Sequence, residues 1–129
     1  QPVYPAAFAG VVAVGASTDD GQAAPYSNHG GFLDLLAPGA APIPAPPDGG
    51  PGQSLAGTSV ATAYTAHVLG RYFLLHPHAT REQAIHALKT AVAEGRPSGW
   101  DAARHGAGPL TADAVARFLG RPPAADAEP

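Results

Sequence analysis

Apolar positions fall along this chain in two rhythms. Gly10 to Ser17 and Phe32 to Ala37 are short apolar runs, the first unbroken from Val11 to Val14 and closed by Thr18-Asp19-Asp20-Gly21. Such runs predict strands, and one that is apolar without alternation predicts a parallel sheet with both faces covered. From Ser59 to about Leu75, Val60, Ala61, Ala63, Ala66, Val68, Leu69, Phe73 and Leu74 spread round the whole helical wheel, which predicts a helix buried nearly all round. A second helix opens on the capping box Thr80-Arg81-Glu82-Gln83, carries one stripe of Ala84, Leu88 and Ala91 with Ile85 and Val92, and stops at Gly95 and Pro97. A third runs from Thr111 to about Leu119, where Gly120 and then Pro122-Pro123 end it. Strands followed by helices imply an α/β layered architecture.

Between these elements, Pro38 to Gly52 holds six prolines and four glycines and reads as a surface loop of extended polyproline character within one domain. Residues 1–121 are expected to form that domain and residues 122–129 a disordered tail. Charged residues make up only 13% of the 129, against 45% apolar ones. So uncharged a surface fits a piece that another part of the same fold covers. The net charge of −3, with one lysine and no basic cluster, gives no footprint for nucleic acid or for an anionic membrane. No apolar stretch reaches the ~20 residues needed to cross a bilayer. Cysteine is absent, which excludes disulfides and thiol chemistry within the chain. Methionine is absent too, and Gln1 reads as the new end of a processed or excerpted fragment.

The chemistry centres on Gly57-Thr58-Ser59-Val60-Ala61, where a loop meets the long apolar helix. The first N–H groups of a helix lack intrahelical partners and carry partial positive charge, so a hydroxyl there stands beside a ready oxyanion site. Two readings follow for this pentapeptide. Ser59 is a nucleophile, or the hydroxyls of Thr58 and Ser59 simply cap the helix.

A nucleophilic serine needs a base within hydrogen-bond reach. His67 lies eight residues along the same helix, about 12 Å away at 1.5 Å per residue, and is excluded. His29, His76, His78, His86 and His105 carry no triad signature, and His76-Pro77-His78 lacks a third metal ligand nearby.

Four further segments stand in order around the serine: Tyr4-Pro5 with Val11-Val12-Ala13-Val14-Gly15-Ala16, Tyr26-Ser27-Asn28-His29-Gly30, Leu33-Asp34-Leu35-Leu36-Ala37-Pro38-Gly39, and Gly106-Ala107-Gly108-Pro109-Leu110 with Ala114-Val115. Together they resemble the C-terminal portion of the subtilisin-like serine peptidases, from Tyr4 to about Phe118. The resemblance implies a three-layer parallel-sheet subtilisin-like fold completed by an N-terminal part. It also implies that the catalytic Asp, the catalytic His and the oxyanion-hole Asn come from that part, as a separate chain or as the precursor's earlier half.

By the same comparison, Ser59 is the acylated nucleophile, its N–H one oxyanion donor, and the Thr58 hydroxyl an assistant. Val3 to Ala6 resembles the segment lining the pocket for the residue before the scissile bond, with Val3 and Tyr4 as contacts and Tyr4-Pro5 a candidate cis peptide. Tyr26 and Leu55 resemble leaving-side contacts. Val60 stands where relatives often carry methionine, which implies resistance to oxidative inactivation. The carbonyls of Ala6, Phe8 and Val11 with the Asp34 carboxylate resemble a weak cation site for structural calcium or a monovalent ion; otherwise Asp34 is a hydrogen-bonded strand-end residue. The chemistry itself requires no cofactor. The partners implied are the N-terminal part and a peptide or protein substrate, with secretion or the cell envelope favoured over the cytoplasm.

Departures from the family pattern are Ala63 and Tyr64 where Pro and His are usual, and His67 in place of a Gly one turn later. Two other functions compete. A non-catalytic subtilase-derived scaffold would grip a partner through the old substrate cleft. An esterase is disfavoured, because Val60-Ala61 occupies the place of x-Gly in a Gly-x-Ser-x-Gly elbow.

Overall fold

The computed structural model describes residues 4–125. Two short strands, β1 (Val14–Ser17) and β2 (Leu35–Pro38), pair in parallel with Val14 opposite Leu35 and Ser17 opposite Pro38. A third extended segment continues this sheet beyond β2. Leu36 donates its N–H to the Gly108 carbonyl (3.1 Å) and its own carbonyl accepts from Leu110 N–H (2.7 Å), while Ala107 N–H reaches the Asp34 carbonyl (2.8 Å). The predicted runs are thus strands, but shorter ones, since Val11 to Ala13 and Phe32 to Asp34 lie ahead of the ladder.

Pro38 to Gly52 differs from its expectation. It contributes β3 (Ala40–Ile43), which pairs antiparallel with β4 (Gln53–Ala56) as a hairpin, and only the tip between them is loop. Nearly every residue of that hairpin is exposed, so no buried face imposes the alternation by which a strand is read.

Four helices follow among the described residues: α1 (Thr58–Leu75), α2 (Arg81–Glu94), the single turn α3 (Ala102–His105) and α4 (Ala112–Leu119). The Thr80 capping box forms in full, with Thr80 Oγ1 accepting from Gln83 N–H (3.1 Å) and Gln83 Oε1 accepting from Thr80 N–H (2.8 Å). Thr111 caps α4 in the same manner, accepting from Ala114 N–H at 3.1 Å. One core joins Ala16, Leu35 and Ala37 of the sheet to Ala61, Val68 and Tyr72 of α1, Leu88 and Val92 of α2, and Phe118 of α4. On the opposite face of the sheet Ala13, Leu33 and Leu36 pack with Phe32 and Trp100. The layering is α/β, as the sequence predicts.

One correction concerns α1. Its buried residues are Ala61, Thr65, Val68 and Tyr72, a single stripe at helical spacing, and not the whole circumference. The β1–β2 sheet and α4 cover that stripe. Ala63, Ala66, Phe73, Leu74 and Leu75 on the other sides are exposed among the described residues, Leu74 by 83%.

Candidate active site

Ser59 stands at the second position of α1, at the end of the sheet to which both parallel strands point, where α/β folds place their ligands. The turn into the helix is made by Gly57, whose φ of 150° and ψ of 167° suit only glycine. Gly57 itself is the N-cap, and no side chain caps the helix. Its carbonyl accepts from Val60 N–H (3.1 Å) and more loosely from Ala61 N–H (3.5 Å). The capping alternative for the two hydroxyls therefore fails: Thr58 and Ser59 are already inside the first turn, and their N–H groups have no residue four back within the helix to meet. Ser59 is exposed, and its hydroxyl makes no hydrogen bond among the described residues.

The turn is tied to the sheet. Gly57 donates its N–H to the Gly39 carbonyl at 2.8 Å, and Gly39, just after β2, donates its own N–H to the Ser17 carbonyl of β1 at 3.1 Å. Behind the serine, Thr62 Oγ1 donates to the Thr58 carbonyl at 2.9 Å.

Beside Ser59 opens an apolar cavity of about 420 Å³, lined by Ala41, Leu55, Ser59, Val60, Ala63, Tyr64 and His67. Leu55 thus shares a cavity with the serine. Val60 lies on the same wall, one residue past the serine. Ala63, Tyr64 and His67, the positions that depart from the family pattern, share it too. Their spacing from Ser59, four, five and eight residues along, is the signal that would have found them, because it repeats one helical face.

Other predicted residues stand elsewhere. Tyr26 donates its hydroxyl to the Gly39 carbonyl at 3.0 Å and keeps an exposed ring. Tyr4 is exposed, joined to Pro5 by a cis peptide, and tilts against Phe8 with ring centroids 4.8 Å apart; it does not line the cavity. Val3 lies outside the described residues.

Asp34 has both carboxylate oxygens engaged: Oδ2 accepts from Ala13 N–H at 2.7 Å, and Oδ1 meets Lys89 Nζ at 2.8 Å. Phe8, one of the carbonyls expected beside it, accepts from Val11 N–H at 3.3 Å. These donors do not fit a cation, which would have to displace the ammonium already there. No group of three or more His, Cys, Asp or Glu side chains among the described residues is arranged to hold a metal ion.

Away from the serine, His105 sits between Trp100 and His29, with ring centroids 5.8 Å and 6.5 Å off. Its Nδ1 is buried and has no partner among the described residues.

A parallel sheet with a helix that starts on an exposed serine, at a glycine turn pinned to the strand ends, defines an α/β layered chain that presents a hydroxyl at a helix N-terminus. The chain belongs to the Subtilase family of peptidases, whose family model matches residues 1–114. It is similar to the cell wall-associated protease of Bacillus subtilis (37% identity over 86 residues, 67% of this chain and 10% of that protein). It is also similar to the thermostable alkaline protease of Halalkalibacterium halodurans (35% over 96 residues, 74% of this chain and 26% of the relative). The chain therefore spans about a tenth to a quarter of the length of these relatives. In fold it matches fervidolysin from Fervidobacterium pennivorans, a keratinolytic enzyme related to subtilisin (TM-score 0.73, 22% identity, 95% of this chain and 21% of that one). MycP1 with its N-terminal propeptide removed matches similarly (TM-score 0.71, 23% identity, 97% and 41%).

Proposed function

We propose that this chain is the nucleophile-bearing C-terminal part of a subtilisin-like serine endopeptidase, active when assembled with an N-terminal part that supplies the catalytic Asp, the catalytic His and the oxyanion Asn. The observation that carries the reading is the exposed Ser59 hydroxyl, uncommitted to capping, at the positive end of an 18-residue helix and beside an apolar cavity. Ser59 Oγ attacks the scissile carbonyl carbon while its proton passes to the histidine of the N-terminal part. Negative charge on the carbonyl oxygen is met by the Ser59 N–H, by the Asn from outside this chain, and by the Thr58 hydroxyl. Collapse breaks the C–N bond, the histidine returns the proton to the amine, and water then hydrolyses the acyl ester on Ser59.

Leu55, and the ring of Tyr26, serve the leaving side, and Val3 and Tyr4 the side before the scissile bond. The reaction needs no cofactor. The substrates are peptides or proteins, with neither nucleic acid nor membrane as a partner. No helix among the described residues is long and apolar enough to cross a membrane. The cell wall-associated relative supports action in the cell envelope or outside the cell. Residues 1–121 belong to the C-terminal part of the catalytic domain; just past them the Ala124 carbonyl still accepts from Gln83 Nε2 of α2 at 2.9 Å, against the expectation of a disordered tail from residue 122.

The test is labelling by a fluorophosphonate, which phosphonylates only an activated serine. Ser59 should be labelled when this chain and the N-terminal part are together, and neither in this chain alone nor in Ser59→Ala. An assembled protein that stays unlabelled would favour the scaffold reading instead.

A further inference from the structure

The loop that carries Tyr26 is fixed to β1 from two sides. Ala24 N–H donates to the Ala16 carbonyl at 2.9 Å, Ala16 N–H donates to Ser27 Oγ at 3.0 Å, and Ser27 N–H closes the turn on the Ala24 carbonyl at 2.9 Å. Tyr26 is thus held beside Ala16, one residue before the end of β1, by bonds that do not involve its own side chain. From there its hydroxyl reaches across to Gly39, which follows the neighbouring strand.

The Gly39 carbonyl has two lone pairs, and both have donors: the Tyr26 hydroxyl at 3.0 Å and the Gly57 N–H at 2.8 Å. The second of these bonds holds the turn from which Ser59 projects. Gly39 also has no room for a side chain. A Cβ there would collide with the Tyr26 hydroxyl oxygen and stand 2.7 Å from Ala16 Cβ. The tyrosine oxygen therefore lies directly over the Gly39 backbone, where it sets the direction in which that carbonyl points.

We propose that Tyr26 is a positioning residue for catalysis: its hydroxyl orients the Gly39 carbonyl, which anchors Gly57 and so fixes where Ser59 sits. This role rests on the reading of Ser59 as the nucleophile and is separate from any contact the Tyr26 ring makes with substrate. The two roles divide by atom. The ring faces solvent, while the oxygen serves the turn. A phenylalanine would keep the first and lose the second.

The experiment compares Tyr26→Phe with the unaltered assembled enzyme, using a small alkyl fluorophosphonate that has no leaving-side residue, together with kcat and KM on a peptide. Loss of the hydroxyl should slow phosphonylation of Ser59 and lower kcat together, by about 3- to 10-fold, the range that one hydrogen bond's worth of misplacement gives, with KM and Tm little changed. In the unaltered protein the Gly57 amide should be protected from hydrogen exchange beyond the amides of exposed β4, and in the variant that protection should fall. A folded Tyr26→Phe enzyme with unchanged phosphonylation and a raised KM would overturn the proposal and leave the ring as a leaving-side contact. A Gly57 amide exchanging as fast as β4 in the unaltered protein would overturn it without any variant. Absence of labelling in the unaltered enzyme is a different failure, since it removes the nucleophile and the positioning role with it.

Discussion

Tyr72 of α1 lies flat against Phe118 of α4, ring centroids 4.3 Å apart and planes within 7°. The same tyrosine donates its hydroxyl to the Arg121 carbonyl at 2.9 Å, so its ring and its oxygen both bind the far end of the serine helix to the last helix. Phe118→Ala removes a fully buried ring and should destabilise the assembled enzyme by about 3–5 kcal/mol in denaturant unfolding. Tyr72→Phe leaves the stack and deletes one bond, for about 1 kcal/mol. Equal losses in the two variants would contradict this division.

Gly57→Ala tests the turn by backbone alone. A Cβ at this position would find only Ser59 N within 4 Å, at 3.9 Å, so crowding is slight. The conformation with φ of 150° is what alanine resists, at a cost of about 1–3 kcal/mol. The variant should lose stability within that range and lose Ser59 labelling disproportionately, because the chain relieves the strain by moving the residue beside it. Full labelling at unchanged Tm would show that the turn tolerates a side chain.

Asp34 and Lys89 separate a charge from an acceptor. The lysine is partly exposed, and Lys89→Met should cost about 0.2–1 kcal/mol, less at high salt. Asp34→Ala also strands the Ala13 N–H ahead of β1, for about 1–3 kcal/mol. Thermal unfolding at two salt concentrations distinguishes them, since the backbone bond, unlike the ion pair, does not depend on screening.

His105 gives stability a slope with pH. Burial, first, and then the neighbouring Arg104 and His29 hold its pKa below the ordinary imidazole value of 6.5, against the opposing pull of Asp101. The unfolded chain therefore takes up the proton before the folded one. The contribution is complete above about pH 6.5 and is lost as pH falls through the folded value. His105→Phe should flatten the Tm profile between pH 7 and 5; an unaltered slope would assign the acid sensitivity to other groups.

Local chemistry was the most legible part of the chain. Thr80 with Gln83, Thr111 and the stop at Gly95 set helix ends through bonds within a few residues, and α2 and α4 begin where those side chains require. The parallel pair was legible from the apolar runs, although β1 begins at Val14 rather than Gly10, because ladder bonds depend on a partner strand and not on composition. The hairpin was hidden because exposure erased its pattern. The single turn α3 was hidden because four residues hold no periodicity. At the site, the placement of Ser59 where a loop becomes a helix was legible from the motif. The wall formed by Ala63, Tyr64 and His67 was not, since an apolar wheel shows that a helix is covered without showing which sides a given part of the fold leaves open.

That exposed hairpin has a consequence for how such molecules behave in a crowded solution. Two bare strands offer other copies a template for edge-to-edge growth, the first step toward fibres. Here Pro42 takes a donor out of β3, and Pro44, Pro46, Pro47 and Pro51 crowd the tip, where more ladder would otherwise form. Replacing those prolines with threonine or valine would look conservative for a surface strand, yet it would remove the protein's guard against sticking to itself.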